Sequence, residues 1–395
     1  MRILLVEPFN CGHHAGFMKA FVEALRTLRH EVVFAFPDPE VILSALEVDG
    51  DGPSTCALKF DTPSAIDAPA FWRSLQHTLA EATATAGPID EIFINNLDGY
   101  FLDPDPQTLR EAARIQTPWS GLYFFPRHLY RGVRTHTQPP DRALFRLPYC
   151  RRLAVLDERI QRRLSRWSGR PVFHVPELVG PMPEDANLVA EIRERAAGRP
   201  IVGVLGSLSK RKGLAECIEI ARRRSDEWFF LFAGPMNPES FAEHEFRGML
   251  QAIHEIWGHS AWMTQYLSDA AFNACARACD VHFCAYHQWP YSSNMVARAR
   301  ALGKPAIVAP GGVLASRVKR GGLGVVARSM EASGLENAIA RALGWLEQDR
   351  WQVPVAPDTF AQLTSTFEQV YGSAADPIHH SGLSHARLEP CAAGG

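Results

Sequence analysis

The chain has no uninterrupted apolar run of about 18 residues, so no membrane-spanning segment is expected. It also has no excess of charge of either sign. A formal net charge of −2 over 395 residues argues against nucleic acid or an anionic membrane as the main partner. A local basic patch serving one phosphate, and peripheral contact with a membrane surface, stay open. Cysteine is sparse and unframed, with 8 residues scattered from Cys11 to Cys391. Cys275 and Cys279 stand one helical turn apart and Cys284 follows, but no second pair has zinc-site spacing, so buried thiols are expected and no metal. The spaced triple glycine of a dinucleotide fingerprint is missing, which disfavours a nicotinamide or flavin cofactor. The start, Met-Arg-Ile-Leu-Leu-Val-Glu-Pro, turns polar too soon for a signal peptide and reads as a β-strand; a cytoplasmic protein is expected.

What is present is a β/α rhythm, repeated twice. The length suits two domains, each able to bury its own core. Ile3 to Val6 is a short apolar strand, followed by a loop with Gly12, His13, His14 and Gly16. Phe17, Phe21, Val22, Leu25 and Leu28 then share one helix face before the strand Glu31 to Phe36. Residues 38–70 read as irregular, with Asp49-Gly50-Asp51 a solvated turn and no metal motif. Asp103-Pro104-Asp105 likewise reads as a loop leading into a helix. Further strands are expected at 89–94, 119–125, 153–157 and 172–175. The proline-rich stretch 176–184 is the hinge, and a second series starts at Ile201. The expected division is 1–178, 179–372 with the last helix free to pack back on the first domain, and a disordered tail 373–395.

Strand ends in a parallel sheet are where ligands are met. On the first half this singles out Asn96, Asp98, Arg127 and His128, with Gly12, His13, His14 and Gly16 on the opening loop. On the second half the key stretch runs from Gly203 to Gly213. An apolar strand breaks at Gly206, three cations Lys210-Arg211-Lys212 follow, and a helix restarts at Gly213, a geometry that offers backbone N–H groups to an anion. Ser292, Ser293 and Asn294 precede another helix, Tyr266 follows an apolar segment, and Trp289 and Tyr291 are placed to stack on a sugar or to pack in their loop.

These motifs resemble the GT-B glycosyltransferases, and most closely the large retaining group that uses sugar nucleotides. Gly206-Ser207-Leu208-x-x-x-Lys212-Gly213 is similar to that group's Gly-Arg-Leu-x-x-x-Lys-Gly turn, where Arg and Lys hold the diphosphate. Phe232-Ala233-Gly234-Pro235, Asp280, and Ala301 to Val308 are similar to segments around its nucleotide site. The resemblance runs from Met1 to about residue 370 and implies an α/β fold of two Rossmann-like domains facing across a cleft. It also implies sugar transfer from a nucleotide sugar, UDP- or GDP-linked, to a hydroxyl-bearing acceptor, without a metal and with retention. Gly206, Ser207, Lys212, Tyr266, Ser292, Ser293 and Asn294 would be donor-binding. Gly12, Gly16, Asn96, Arg127 and His128 would be on the acceptor side, and His13, His14 and Asp98 would be catalytic. For inversion the candidate bases are His13, His14, Asp98 and His128.

Three departures from the pattern stand out. Ser207 replaces the Arg, leaving Lys210 or Arg211 to supply the second cation. Two glutamates eight apart in the group correspond here to Pro290 and Arg298, and a guanidinium cannot accept from a ribose diol. The same departures motivate the rival expectation, a GT-B-like binding subunit without turnover.

Overall fold

The computed structural model describes residues 1–9, 14–44, 46, 54–61, 67–98, 102, 105–130, 142–180 and 182–372. The expected tail 373–395 and both Asp-x-Asp stretches lie wholly or partly outside these residues.

The first half runs β1 (Arg2–Val6), α1 (His14–Thr27), β2 (Glu31–Phe36), α2 (Pro39–Leu43), β3 (Thr55–Lys59), α3 (Ala68–Ala86) and β4 (Glu91–Ile94). It continues with α4 (Pro106–Ala113), β5 (Trp119–Leu122), α5 (Arg142–Arg146), β6 (Cys150–Val155), α6 (Gln161–Ser168) and β7 (Val172–His174). Its strands form one sheet of order β3-β2-β1-β4-β5-β6-β7. Every pairing in it is parallel. The second half runs α7 (Ala186–Ala196), β8 (Ile201–Leu205), α8 (Leu214–Arg224), β9 (Phe229–Ala233), α9 (Glu243–Ile256), β10 (Ser260–Met263) and α10 (Asp269–Ala278). Then come β11 (Val281–Cys284), α11 (Asn294–Ala301), β12 (Ala306–Val308), α12 (Gly312–Gly321), β13 (Gly324–Val326), α13 (Ala332–Glu347) and α14 (Thr359–Tyr371). These strands order as β10-β9-β8-β11-β12-β13, again all parallel. Residues 38–70 are thus not wholly irregular: α2 and β3 lie there, and β10 and β13 join the strands expected from the sequence.

Parallel sheets need both faces covered, which is why β8, β9, residues 3–6 of β1 and residues 92–94 of β4 read as continuous apolar runs. Each sheet is sandwiched between two apolar clusters. In each, strand order reverses beside the first strand, at β1/β4 and at β8/β11, so the crevices at those strand ends are the natural ligand sites. α14 packs against α1 on the first sheet. The Phe367 ring lies 5.1 Å from Phe21 and 5.8 Å from Phe93, and the Gly372 carbonyl is 2.9 Å from His30 Nε2. The chain therefore crosses between the two sheets twice. Where the crossings meet, Val179 N–H donates to Thr359 Oγ1 at 3.3 Å.

The halves are joined by a polar latch. Arg317 of α12 donates to Glu158 Oε2 at 2.8 Å, to the Leu156 carbonyl and to Ser292 Oγ, and Arg320 also donates to Glu158. Burial alone would raise the Glu158 carboxyl, but the hydrogen bonds and charge of Arg317, with Arg320, hold it down to about 2. The stability this confers is present above the ordinary carboxylate range and is lost as pH falls toward 2. Arg317→Met removes one of the two guanidinium groups on half-buried Glu158 and leaves Arg320, and we expect a loss of about 1.5–3 kcal/mol. Denaturant midpoints should show this loss at pH 7 and a smaller one at pH 3.

Candidate active site

On the second half, β8 is buried throughout and stops at Gly206, whose φ of +85° suits a residue without Cβ. The loop is tied down by Gly206 N–H donating to the Ala233 carbonyl at 2.8 Å, and a short 3₁₀ turn over Lys210–Lys212 leads into α8. The three consecutive cations have separate fates. Lys210 is paired with Glu245 at 2.5 Å. Arg211 lies over the Trp289 ring at 4.2 Å and the Tyr286 ring at 5.4 Å. Lys212 is 7% exposed and folds under the loop, so close that a Cβ on Gly206 would stand 2.6 Å from its Nζ. That ammonium donates to the Leu205 carbonyl and faces the Tyr286 ring, with no carboxylate partner among the described residues. Burial first, and the charge of Arg211 second, push it down to about 8. A buried cation without a counter-charge is costly, and one set beneath a glycine turn is set up to receive an anion.

Ser207 is exposed on this turn. Ser293 caps α11, accepting from Met295 N–H at 3.4 Å, with Tyr286 Oη 3.4 Å from its hydroxyl. Asn294, half-buried, opens the helix. Ser292 is largely taken up by the Arg317 latch, and Tyr266 is 74% exposed after β10. Arg298 donates to Asn273 Oδ1 and lies against Phe272, so no carboxylate pairs with it among the described residues. The charge of Asp269 lies within electrostatic reach of it and opposes the effect of burial.

On the first half, β1 delivers Glu7 to the sheet's C-terminal edge with no exposed surface. Its Oε1 accepts from Phe9 N–H at 3.0 Å, and its Oε2 lies 3.0 Å from Nδ1 of His14, the first residue of α1. Burial raises the Glu7 carboxyl against the opposing pull of His14. A histidine whose Nδ1 is held by a carboxylate has its tautomer and ring orientation fixed, and proton exchange runs through Nε2. Sequence reading singles out His14 but misses Glu7. Val-Glu-Pro looks like a strand exit, and the seven-residue gap to His14 has no helical or strand period.

Asn96 and Asp98, past β4, are 4% and 5% exposed. Asn96 Oδ1 has no hydrogen-bond partner among the described residues, and the charge of Asp98 adds to burial in raising the Tyr123 and Tyr291 hydroxyls. Arg127 is exposed on the turn after β5. His128 is turned away from it, its ring 4.2 Å from Trp167, and burial pushes it down to about 4, so it is neutral at physiological pH. The turn over Arg127–Leu129 is too tight for neighbouring side chains to share a direction, and His128 Nδ1 lies 3.5 Å from Tyr123 Oη. Gly12 and His13 lie outside the described residues. Gly16 is exposed on α1, and an added Cβ would meet nothing within 4 Å. Gly16→Ala is expected to stabilise by about 0.5–1 kcal/mol through helix propensity, read as a raised melting temperature.

The two halves meet through aromatic rings: Phe125 is 5.4 Å from Trp289 and 5.1 Å from Tyr291, and Tyr130 is 5.0 Å from Tyr291. Tyr130 Oη donates to Asp157 at 2.9 Å. Beside these rings opens a cavity of about 690 Å³, lined among others by Arg127, Arg211, Glu216, His287, Trp289 and Tyr291.

Replacing Glu7 tests the pairing with His14. A carboxyl raised by burial costs stability as pH rises from the ordinary carboxylate range through its folded value. Glu7→Gln is therefore expected to melt above wild type at pH 8 and level with it at pH 4. Activity should move the other way, losing part of the roughly 10²–10⁴-fold that a positioned acid–base group contributes, with an altered pH–rate profile.

No protein-family model and no curated protein sequence matches the chain. Solved structures do. Sucrose-phosphate synthase from Thermosynechococcus elongatus superposes with a TM-score of 0.64 at 15% identity, over 94% of this chain and 96% of that one. Anabaena HepE in complex with UDP and glucose gives 0.60 at 16% identity, over 94% and 96%. The catalytic domain of starch synthase IV from Arabidopsis thaliana, bound to ADP and acarbose, gives 0.64 at 11% identity, over 94% and 98%. Among the described residues no helix is long and apolar enough to cross a membrane. Two parallel α/β sheets, matched over nearly the whole chain by structures of this kind, make the fold that of the GT-B glycosyltransferases.

Proposed function

We propose that the chain transfers a sugar from a nucleoside-diphosphate sugar, UDP- or GDP-linked, to a hydroxyl of an acceptor. The observation that carries this is Lys212, an ammonium without a counter-charge, buried under a glycine turn at the switch point of the second sheet. In transfer, the bond from the anomeric carbon to the diphosphate breaks and its electron pair leaves with the diphosphate. The acceptor oxygen bonds that carbon, and its hydroxyl proton passes to a leaving diphosphate oxygen or to a protein base. Lys212, the amides after Gly206 and the start of α11 at Ser293 would bear the charge that develops on the leaving group. Tyr266, Ser292 and Asn294 border the same donor side.

A retaining outcome is proposed on the strength of the Gly206–Gly213 turn and the serines before α11. In that case no protein nucleophile is needed, and His14, held by Glu7, with Asp98 and Asn96, orients the acceptor hydroxyl. One observation favours the rival, a binding subunit without turnover: Arg298, at the position of the ribose-binding glutamate, is committed to Asn273. Incubation with a panel of UDP-, GDP-, ADP- and TDP-sugars separates the two. Release of nucleotide with at least one donor is the expected result, and the anomeric configuration of the product, read by NMR, tests retention. Thermal stabilisation by a nucleotide with no turnover of any donor would favour the rival, and neither binding nor turnover would overturn both.

A further inference from the structure

The cavity at the domain junction is walled by two guanidinium groups from different sheets, Arg127 after β5 and Arg211 after β8. Neither has a carboxylate partner among the described residues. The other charged groups lining it are matched: Lys210 with Glu245 at 2.5 Å, and His287 with Glu216 at 2.9 Å. Asp98, buried beside Tyr123 and Tyr291, does not line the cavity. The two arginines are thus left without a counter-charge in a space large enough for a small sugar derivative.

Between them the wall is aromatic. Trp289 is fixed by its Nε1 donating to the Ser292 carbonyl at 3.2 Å, and its ring supports Arg211. Tyr291 lines the same space, is 5% exposed, and its Oη has no hydrogen-bond partner among the described residues. A buried hydroxyl without a partner, an aromatic face and two uncompensated arginines are together the requirements of one kind of guest: a ring bearing hydroxyls and an anion.

We propose that this cavity binds the acceptor, and that the acceptor is a sugar carrying a phosphate or carboxylate, held between Arg127 and Arg211 with its ring against Trp289 and Tyr291. This rests on the glycosyl-transfer reading above and deepens it. Lys212 does not line the cavity: its Nζ turns inward to the Leu205 carbonyl, so the donor's diphosphate and the acceptor's anion have separate cations. Because the arginines come from opposite domains, an anion between them also favours the closed cleft.

The test is calorimetric binding to the full chain, with glucose 6-phosphate, glucuronate and glucose as probes, in the presence and absence of UDP. Binding of at least one anionic probe, at least tenfold tighter than glucose and weakening with added salt, is expected. Arg127→Gln, a change on an exposed turn, should reduce that preference roughly tenfold while leaving the UDP-induced melting shift as in wild type. Arg211→Gln should do the same for the anionic probe, and its folding is checked by its UDP-induced shift. The comparison of glucose 6-phosphate with glucuronate tells phosphate from carboxylate. Equal binding of charged and neutral sugars, no binding of any anionic probe, or an Arg127→Gln variant that binds like wild type would each overturn the proposal. So would dependence on Arg127 for UDP-glucuronate but for no free sugar, which would place the anion on the donor. Failure of the glycosyl-transfer reading shows separately, as no release of nucleotide from any donor of the panel above.

Discussion

Lys212→Met is expected to lower kcat/KM by about 10²–10³-fold, the range for removing one preorganised electrostatic group from a transition state. The accompanying change in stability has a definite pH signature. The Lys212 ammonium is held down to about 8 from the usual 10.5 because it is buried and near Arg211. A lowered lysine loses stability as pH falls from its unfolded value through its folded one, and the deficit persists below that. By that relation the methionine variant gains on wild type by about 2 kcal/mol between pH 9.5 and pH 7. Denaturant titrations of both proteins at the two pH values measure it, and parallel curves would show that folded Lys212 keeps the ordinary proton affinity of a lysine, its charge already compensated. Nucleotide binding completes the cycle. An anion beside Lys212 restores its proton affinity, so binding of whichever nucleotide the donor panel identifies should weaken above pH 8 in wild type while binding to the variant stays flat.

The second large effect is expected at Gly234, which touches the Gly206 turn from the neighbouring strand end. Its φ is +130°, and a Cβ there would lie 2.5 Å from the Gly206 carbonyl oxygen and 2.7 Å from the Gly206 carbonyl carbon. Those are backbone atoms that cannot swing aside. Gly234 N–H is bonded to the Met263 carbonyl and Gly206 N–H to the Ala233 carbonyl, both at 2.8 Å, so neither segment is free to retreat. Backbone strain and overpacking each contribute about 1–3 kcal/mol, and Gly234→Ala should destabilise by roughly 3–4 kcal/mol. That is a fall in melting temperature on the order of 10 °C. The displaced turn should also lose the UDP-induced melting shift. An alanine variant that melts and binds UDP like wild type would show the two turns to be mechanically independent.

How much of this was readable beforehand depends on position in the sheet. The central strands were legible because a strand covered on both faces is apolar along its buried length, as residues 3–6 of β1 and all of β8 and β9 are. The missed strands β3, β10 and β13 are all sheet edges. β3 carries a single buried residue, Leu58, and β13 is three residues long, so neither leaves a periodic trace. The glycine turn was legible for the same reason as the strand feeding it. What three adjacent cations would do there was not: Lys210, Arg211 and Lys212 are alike in charge, and only packing sends them to a carboxylate, an aromatic face and a buried carbonyl. The expectation that Lys210 or Arg211 would stand in for the missing Arg meets a Lys210 paired with Glu245 and an Arg211 laid over Trp289 beside the junction cavity, without a carboxylate partner among the described residues. Glu7 was hidden because its meaning depends on the fold bringing the end of β1 to the first residue of α1.

The return of α14 to the first sheet has a consequence for synthesis. Phe21 and Phe93 belong to a core completed by Phe367, from a helix made after the entire second domain. At roughly 5–20 residues per second, the ribosome needs on the order of ten to forty seconds between the last strand of the first domain and α14. For that interval the first domain presents an uncapped aromatic face, and the second domain must fold beside an unfinished neighbour. A chain stopped short of α14 is expected to be captured by holding chaperones even though every strand of both sheets has already been made.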